Sequence, residues 1–165
     1  MNQVLQSYFA AEQNAMLWLF GIGLISLVSG LLLWRSQWSY RTAYWAMLLA
    51  CMPQLGVSLF IYFRSVKQLE EYSLIAQLEP QMLMAQELER IIVVINRFTI
   101  YQSVEVVIFI GALVLSFIYR QRPAVMGITI GVCLQVSAMF IVDGSAEWRA
   151  ENYRDGLIQA AQLIK

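Results

Sequence analysis

Very few side chains in these 165 residues are of a kind that does chemistry, and they are spaced far apart. Histidine is absent, which removes the commonest general base and the commonest metal ligand. Cys51 and Cys133 both sit deep in apolar runs with no CxxC pairing, and a thiol in that setting behaves as a small hydrophobe. No glycine-rich phosphate loop, HExxH helix or Ser-His-Asp set occurs. The remaining candidate is Glu105, the one ionisable side chain inside a long apolar stretch. A carboxylate in hydrocarbon is costly unless it is paired, hydrated or neutralised, so it calls for polar company.

Helical rise suggests where that company lies. Glu105 is about 22 Å from Arg120 along a helix, and Gln54 and Gln135 are each about 20 Å from Arg41 and Arg122. On three separate helices these residues reach nearly the same depth, with Gln102, Ser103 and Ser58 close by as further hydrogen-bonding groups. The expectation is one intramembrane polar layer of Gln54, Gln102, Glu105 and Gln135. Two chemistries fit it. The first is a structural clamp, in which the amides bond the carboxyl and fix helix register. The second is a protonation or cation site on a conducting path. Neither needs a metal or a cofactor.

Elements that place these groups follow from hydropathy. The hydrophobic share is 59%, against about 45–50% in soluble domains. Four stretches are long enough to cross about 30 Å of hydrocarbon, at 15–34, 42–63, 98–119 and 123–142. Backbone groups in lipid must be satisfied within the segment, so these read as helices. Residues 1–14 carry no lysine or arginine and span one ends in Leu-Leu-Trp, which argues for a retained span and against a cleaved signal.

Arg35 and Arg41 lie between spans one and two, and Arg120 and Arg122 between spans three and four, with no acid in either link. The positive-inside rule makes both links cytoplasmic and puts both termini on the other face, the periplasmic one in a bacterial inner membrane. Trp34, Trp38, Tyr40, Tyr44, Trp45 and Tyr119 supply an interfacial belt at the same boundary.

The segment 64–97 has no glycine and a single proline. Val66, Leu69, Tyr72 and Ala76 form one stripe, and Met84, Leu88, Ile91, Ile92 and Ile95 another. Glu79-Pro80 breaks the helix between them. Helices two and three are therefore expected to leave the membrane as a hairpin with facing stripes and a solvated charge pattern. Its apex offers Glu79, Met82, Leu83 and Met84 as an exposed partner-binding surface. Asp143-Gly144-Ser145 reads as a turn and cap before an amphipathic helix at 145–165, with Tyr153, Leu157, Ala160, Ala161 and Ile164 on one face. Val4, Leu5, Tyr8 and Phe9 mark a short amphipathic helix at the start. Gly127 and Gly131 form a GxxxG, and Gly21 and Gly23 offer similar small surfaces for helix packing, within the chain or between copies.

The expected fold is a single all-α integral membrane domain: four transmembrane helices in an antiparallel bundle, an extramembrane helical hairpin and a C-terminal amphipathic helix. Eleven basic and eleven acidic residues give zero net charge, which speaks against nucleic acid as a partner. Elimination leaves a non-catalytic, accessory, sensor or toxin-neutralising protein. It would meet a protein partner outside the cytoplasm, or another copy of itself, through the hairpin and terminal helices. The alternative is an oligomeric ion channel or transporter using the Glu105/Gln54/Gln135 layer. A membrane enzyme ranks third, because no nucleophile and base are brought together.

Overall fold

A computed structural model describes residues 2–162, which form four helices: α1 (Asn2–Arg35), α2 (Ala43–Leu78), α3 (Pro80–Ile118) and α4 (Pro123–Gln162). All four are long and apolar enough to cross a membrane. At 34 to 40 residues each, they measure about 50–60 Å, well beyond the roughly 30 Å of a hydrocarbon core. Each therefore has a spanning part and a part that projects.

Two breaks expected from local sequence are absent. Asp143-Gly144-Ser145 lies inside α4, which runs without interruption from Pro123. Ser145 bonds back to the Val142 carbonyl at 2.7 Å and does not cap a new helix. Residues 2–14 likewise continue into span one as a single helix. A glycine within a long helix is tolerated where neighbouring turns carry the hydrogen bonds and tertiary packing holds both sides. Pro53 also lies within α2. The break that does occur is at Glu79, in a non-helical conformation with its N–H donating to the Ile75 carbonyl at 2.8 Å, and Pro80 opens α3.

Contacts fix how the helices lie. Gly30 rests against Leu48, Gly23 against Leu55, and the Phe9 ring meets Tyr72 edge-on at 5.9 Å, so α1 runs opposite to α2 along most of its length. The Thr42 hydroxyl donates to the Ala124 carbonyl at 2.7 Å, which brings both basic links to the same end of the molecule. Glu79 and the N-terminus of α1 lie at the other end. α3 packs along α4 and lies close to α2 over only a short stretch, and it meets α1 through side chains in the shared core.

The dry core sits outside the spans. Leu5, Phe9, Leu83, Met84, Ile91, Tyr153 and Leu157 are buried together with Ala76 and Ala150. All four helices contribute to it, and α1 and α4 fill the space between the two arms. The stripes on α2 and α3 therefore pack on α1 and α4 more than on each other. Val66 and Ile92, expected on the facing stripes, are exposed. Tyr153, Leu157, Ala160 and Ala161 do face this core; Ile164 lies outside the described residues.

Within the spans the pattern inverts. Large apolar side chains such as Trp18, Leu49, Phe60, Val107, Phe117 and Ile141 point outward and are exposed. Most of the buried positions are small or polar: Ser26, Ala43, Gln54, Ser58, Ala112, Thr129 and Gln135. Lipid tails match leucine as a solvent, so helices there associate by close approach and hydrogen bonding.

Gly127 and Gly131 are the closest approach. A Cβ on Gly127 would press on the Thr42 hydroxyl and come within 2.5 Å of the Tyr40 carbonyl oxygen, and one on Gly131 within 2.8 Å of the Ala43 carbonyl oxygen. The GxxxG is thus occupied within the chain, by the start of α2. Gly23 would meet Leu55 at 3.0 Å, whereas Gly21 has nothing within 4 Å. Gly127→Ala should lower stability by about 1–3 kcal/mol through overpacking against backbone, while Gly21→Ala should be neutral or mildly stabilising. Thermal unfolding in detergent checks this, and equal melting of the two variants would contradict the close α2–α4 contact.

Candidate functional site

Half of the expected polar layer is drawn together. Gln54 Nε2 donates to Gln135 Oε1 at 2.8 Å, and Gln135 Nε2 donates to Ser26 Oγ at 2.7 Å. All three residues are buried. This run of bonds ties α2 to α4 and α4 to α1. Ser26, one hydroxyl in an apolar run, gives no periodic signal, and only the fold shows that it faces an amide.

The other half stands apart on α3. Gln102 Nε2 donates to Glu147 Oε2 at 2.6 Å and so fastens α3 to α4. Among the described residues Glu105 has no hydrogen-bond partner, and its Oε2 is buried. Ser58 and Ser103 bond to the carbonyls of Leu55 and Thr99 in their own helices instead of reaching Glu105. Equal depth did bring Gln54 and Gln135 together, but depth says nothing about azimuth. Glu105 stays outside that run of bonds, on a helix that packs mainly along α4.

Glu105 lines a cleft of about 630 Å³ enclosed by all four helices. Three arginines, Arg64, Arg97 and Arg149, and three acids, Glu12, Glu105 and Asp143, line its walls. Arg64 and Glu12 are 3.9 Å apart. Arg149 donates to Ser145 Oγ at 3.2 Å, and burial pushes its guanidinium below the usual arginine range. Among the described residues neither Arg97 nor Arg149 makes an ion pair. Apolar groups including Met16, Val57, Ile61 and Met139 fill out the walls.

A second constellation occupies the projecting core. Glu87, expected on a solvated surface, is 2% exposed. Arg90 grips it with Nε to Oε1 at 2.7 Å and Nη2 to Oε2 at 2.8 Å, and the Tyr153 hydroxyl donates to Oε2 at 3.0 Å. Tyr8 stacks on Tyr153 with ring centroids 4.1 Å apart. Burial and the neighbouring carboxylate raise the phenols of Tyr72 and Tyr153. Burial, then Glu12, pushes Tyr8 up to about 12. The signal for Glu87 was present, since it lies one helical turn from Leu83, Met84, Arg90 and Ile91 on a buried face, but a charged residue is by default assigned to the surface.

At the apex Glu79 and Met82 are exposed. Leu83 and Met84 are not, being 2% and 6% exposed within the core. Consecutive residues of a helix cannot all face outward, and these two fall on the side toward α1 and α4. The apolar surface at the tip comes instead from Leu74 and Leu78, the latter 81% exposed, together with Met82.

Among the described residues no three His, Cys, Asp or Glu gather closely enough to hold a metal ion. The arrangement clamps helices, encloses an amphipathic cleft and holds a buried carboxylate against a half-buried arginine. Comparison with known families, with curated proteins and with solved structures finds no match to this chain.

The buried phenols predict how the projecting core responds to alkali. A group whose pKa is raised by folding favours the fold while protonated, so this stabilisation is whole below pH 10, the ordinary tyrosine value, and lost as pH rises through about 12. Titration of tyrosinate absorbance should show a late component that shrinks in Tyr8→Phe, with helical circular dichroism falling in the same window. An unchanged alkaline end in that variant would contradict the buried placement of Tyr8.

Proposed function

We propose that this is a non-catalytic integral membrane protein that works by protein–protein contact outside the cytoplasm, in an accessory, sensor or toxin-neutralising role. In this reading the four helices form an antiparallel bundle in a bacterial inner membrane. The links carrying Arg35, Arg41, Arg120 and Arg122 face the cytoplasm, and the hairpin and both termini stand on the far side.

The observation that carries the proposal is the position of the packed core. Side chains from all four helices build it beyond the spans, and it includes the buried Glu87 carboxylate held by Arg90 and Tyr153. A plain membrane anchor needs only short links between spans. A rigid projection of about 20 Å, ending in the exposed Leu74, Leu78 and Met82 beside Glu79, suits the presentation of a surface. Apolar groups held out in water on a stiff support favour a protein contact.

The transport reading is less well supported. Its layer would need Gln54, Gln135 and Glu105 on a common path, yet the two amides bond each other and Ser26 while Glu105 faces a separate cleft.

Cross-linking from the tip tests the proposal. A photo-reactive residue at position 78 should give a discrete adduct in intact cells, and Leu74→Glu with Met82→Glu should abolish it while leaving melting unchanged. An adduct with a second copy would assign the surface to homo-oligomerisation. No adduct, or one that survives both substitutions, would remove the apex from the account.

A further inference from the structure

The cleft lined by three arginines and three acids has no part in the apex contact, and its shape, charge and position suit a ligand drawn from the membrane. We propose that it holds a single phospholipid with a zwitterionic phosphate–ammonium head group, the phosphate at Arg64, Arg97 and Arg149 and one acyl chain lying between α2 and α3.

The mouth of the cleft exists because α2 and α3 make little contact. Val57 on α2 and Tyr101 and Val104 on α3 line it and are each about half exposed, so the opening is lateral and apolar, toward lipid. Arg64 follows the end of the second span and Arg97 precedes the start of the third. The two guanidinium groups therefore flank the mouth at head-group level, with Arg149 behind them on α4. Basic residues gathered between transmembrane helices at that level recognise lipid phosphate, and arginine does so with a bidentate fork. Arg97 and Arg149 have no carboxylate partner among the described residues, and although Arg149 gives one N–H to Ser145, its other donors and those of Arg97 are left for the phosphate. The volume, about 630 Å³, is within the range of small-ligand sites, roughly 300–1,000 Å³.

The acids choose the head group. Glu12 approaches Arg64 through Oε1 at 3.9 Å, while its Oε2 is buried without a partner. That oxygen needs a donor at the level of the phosphate, and a primary ammonium on a short ethanolamine arm supplies one. A trimethylated ammonium has no N–H to give. Glu12 sets a carboxylate beside the arginines, which the ammonium of a zwitterion can neutralise and a lipid of net negative charge cannot. Glu105 and Asp143 lie roughly 9–12 Å farther along their helices from Arg97 and Arg149, so a phosphate held at the arginines stays clear of them.

Native mass spectrometry of delipidated protein, titrated with phosphatidylethanolamine, phosphatidylcholine and phosphatidylglycerol, tests the site. One phosphatidylethanolamine per chain should be retained about tenfold more tightly than either of the others. Arg97→Gln, at an exposed position that the core does not use, should weaken that retention about tenfold while melting stays unchanged. Glu12→Gln should remove the preference over phosphatidylcholine, and Val104→Trp, which fills the mouth, should weaken all three lipids. Glycerophosphoethanolamine and inorganic phosphate, which lack chains, should not compete. Equal retention of the three lipids by wild type and Arg97→Gln would mean an unspecific lipid shell and would overturn the proposal. A preference for phosphatidylglycerol, or full competition by the chainless compounds, would overturn it as well.

Discussion

Everything in this molecule follows from where its large apolar side chains can be accommodated. Along the spans they point outward, and the most hydrophobic stretch of α3 buries only 6% of its residues inside the protein. A hydrocarbon solvent accepts such outward-facing surface, and all four helices are long and apolar enough to cross one. That single condition withdraws the usual driving force for helix association. What holds the spanning parts together must then be contact distance and hydrogen bonds. The structure uses both, in the fit of Gly127 and Gly131 against the start of α2 and in the Ser26–Gln135–Gln54 run.

Beyond the membrane, water restores the hydrophobic effect. The same four helices there bury Leu5, Phe9, Ile91 and Leu157 almost completely. Packing therefore differs by solvent along each continuous helix, aliphatic and aromatic in the projecting part, small and polar in the spanning part. The looseness of α3 follows from this. It is held to α4 by Gln102–Glu147 at the boundary and by the common core at the far end, and between the spans it stands away from α2, which opens the cleft.

Much of this was legible in the residues. Four helices long and apolar enough to span were readable from hydropathy alone, because about 20 apolar residues in a row have few other fates. The stop at Glu79-Pro80 was readable from backbone sterics. What failed were inferences that needed azimuth or tertiary support. Gly144 suggested a break, yet α4 continues because packing on both sides outweighs the weak helix propensity of one glycine. Leu83 and Met84 were placed on the surface because the turn is exposed, whereas helical geometry turns them inward. The charge of Glu87 suggests solvent, and its burial becomes tolerable because Arg90 lies one turn along the same helix and the fold brings the Tyr153 hydroxyl to the carboxylate. Glu105 and the glutamines share a depth, yet the glutamines bond each other and Ser26 and leave Glu105 out.

The solvent seen by the outward faces decides the division of packing along the helices. Spin labels on single cysteines, in a protein with Cys51 and Cys133 replaced by alanine, report that solvent through their relative exposure to oxygen and to a water-soluble nickel chelate. In bilayers, labels at positions 49, 60 and 107 should be reached by oxygen and protected from nickel, and a label at position 78 should show the reverse. Nickel access at 49, 60 and 107 equal to that at 78 would mean that these faces are in water, and the division of packing between the two solvents would be wrong.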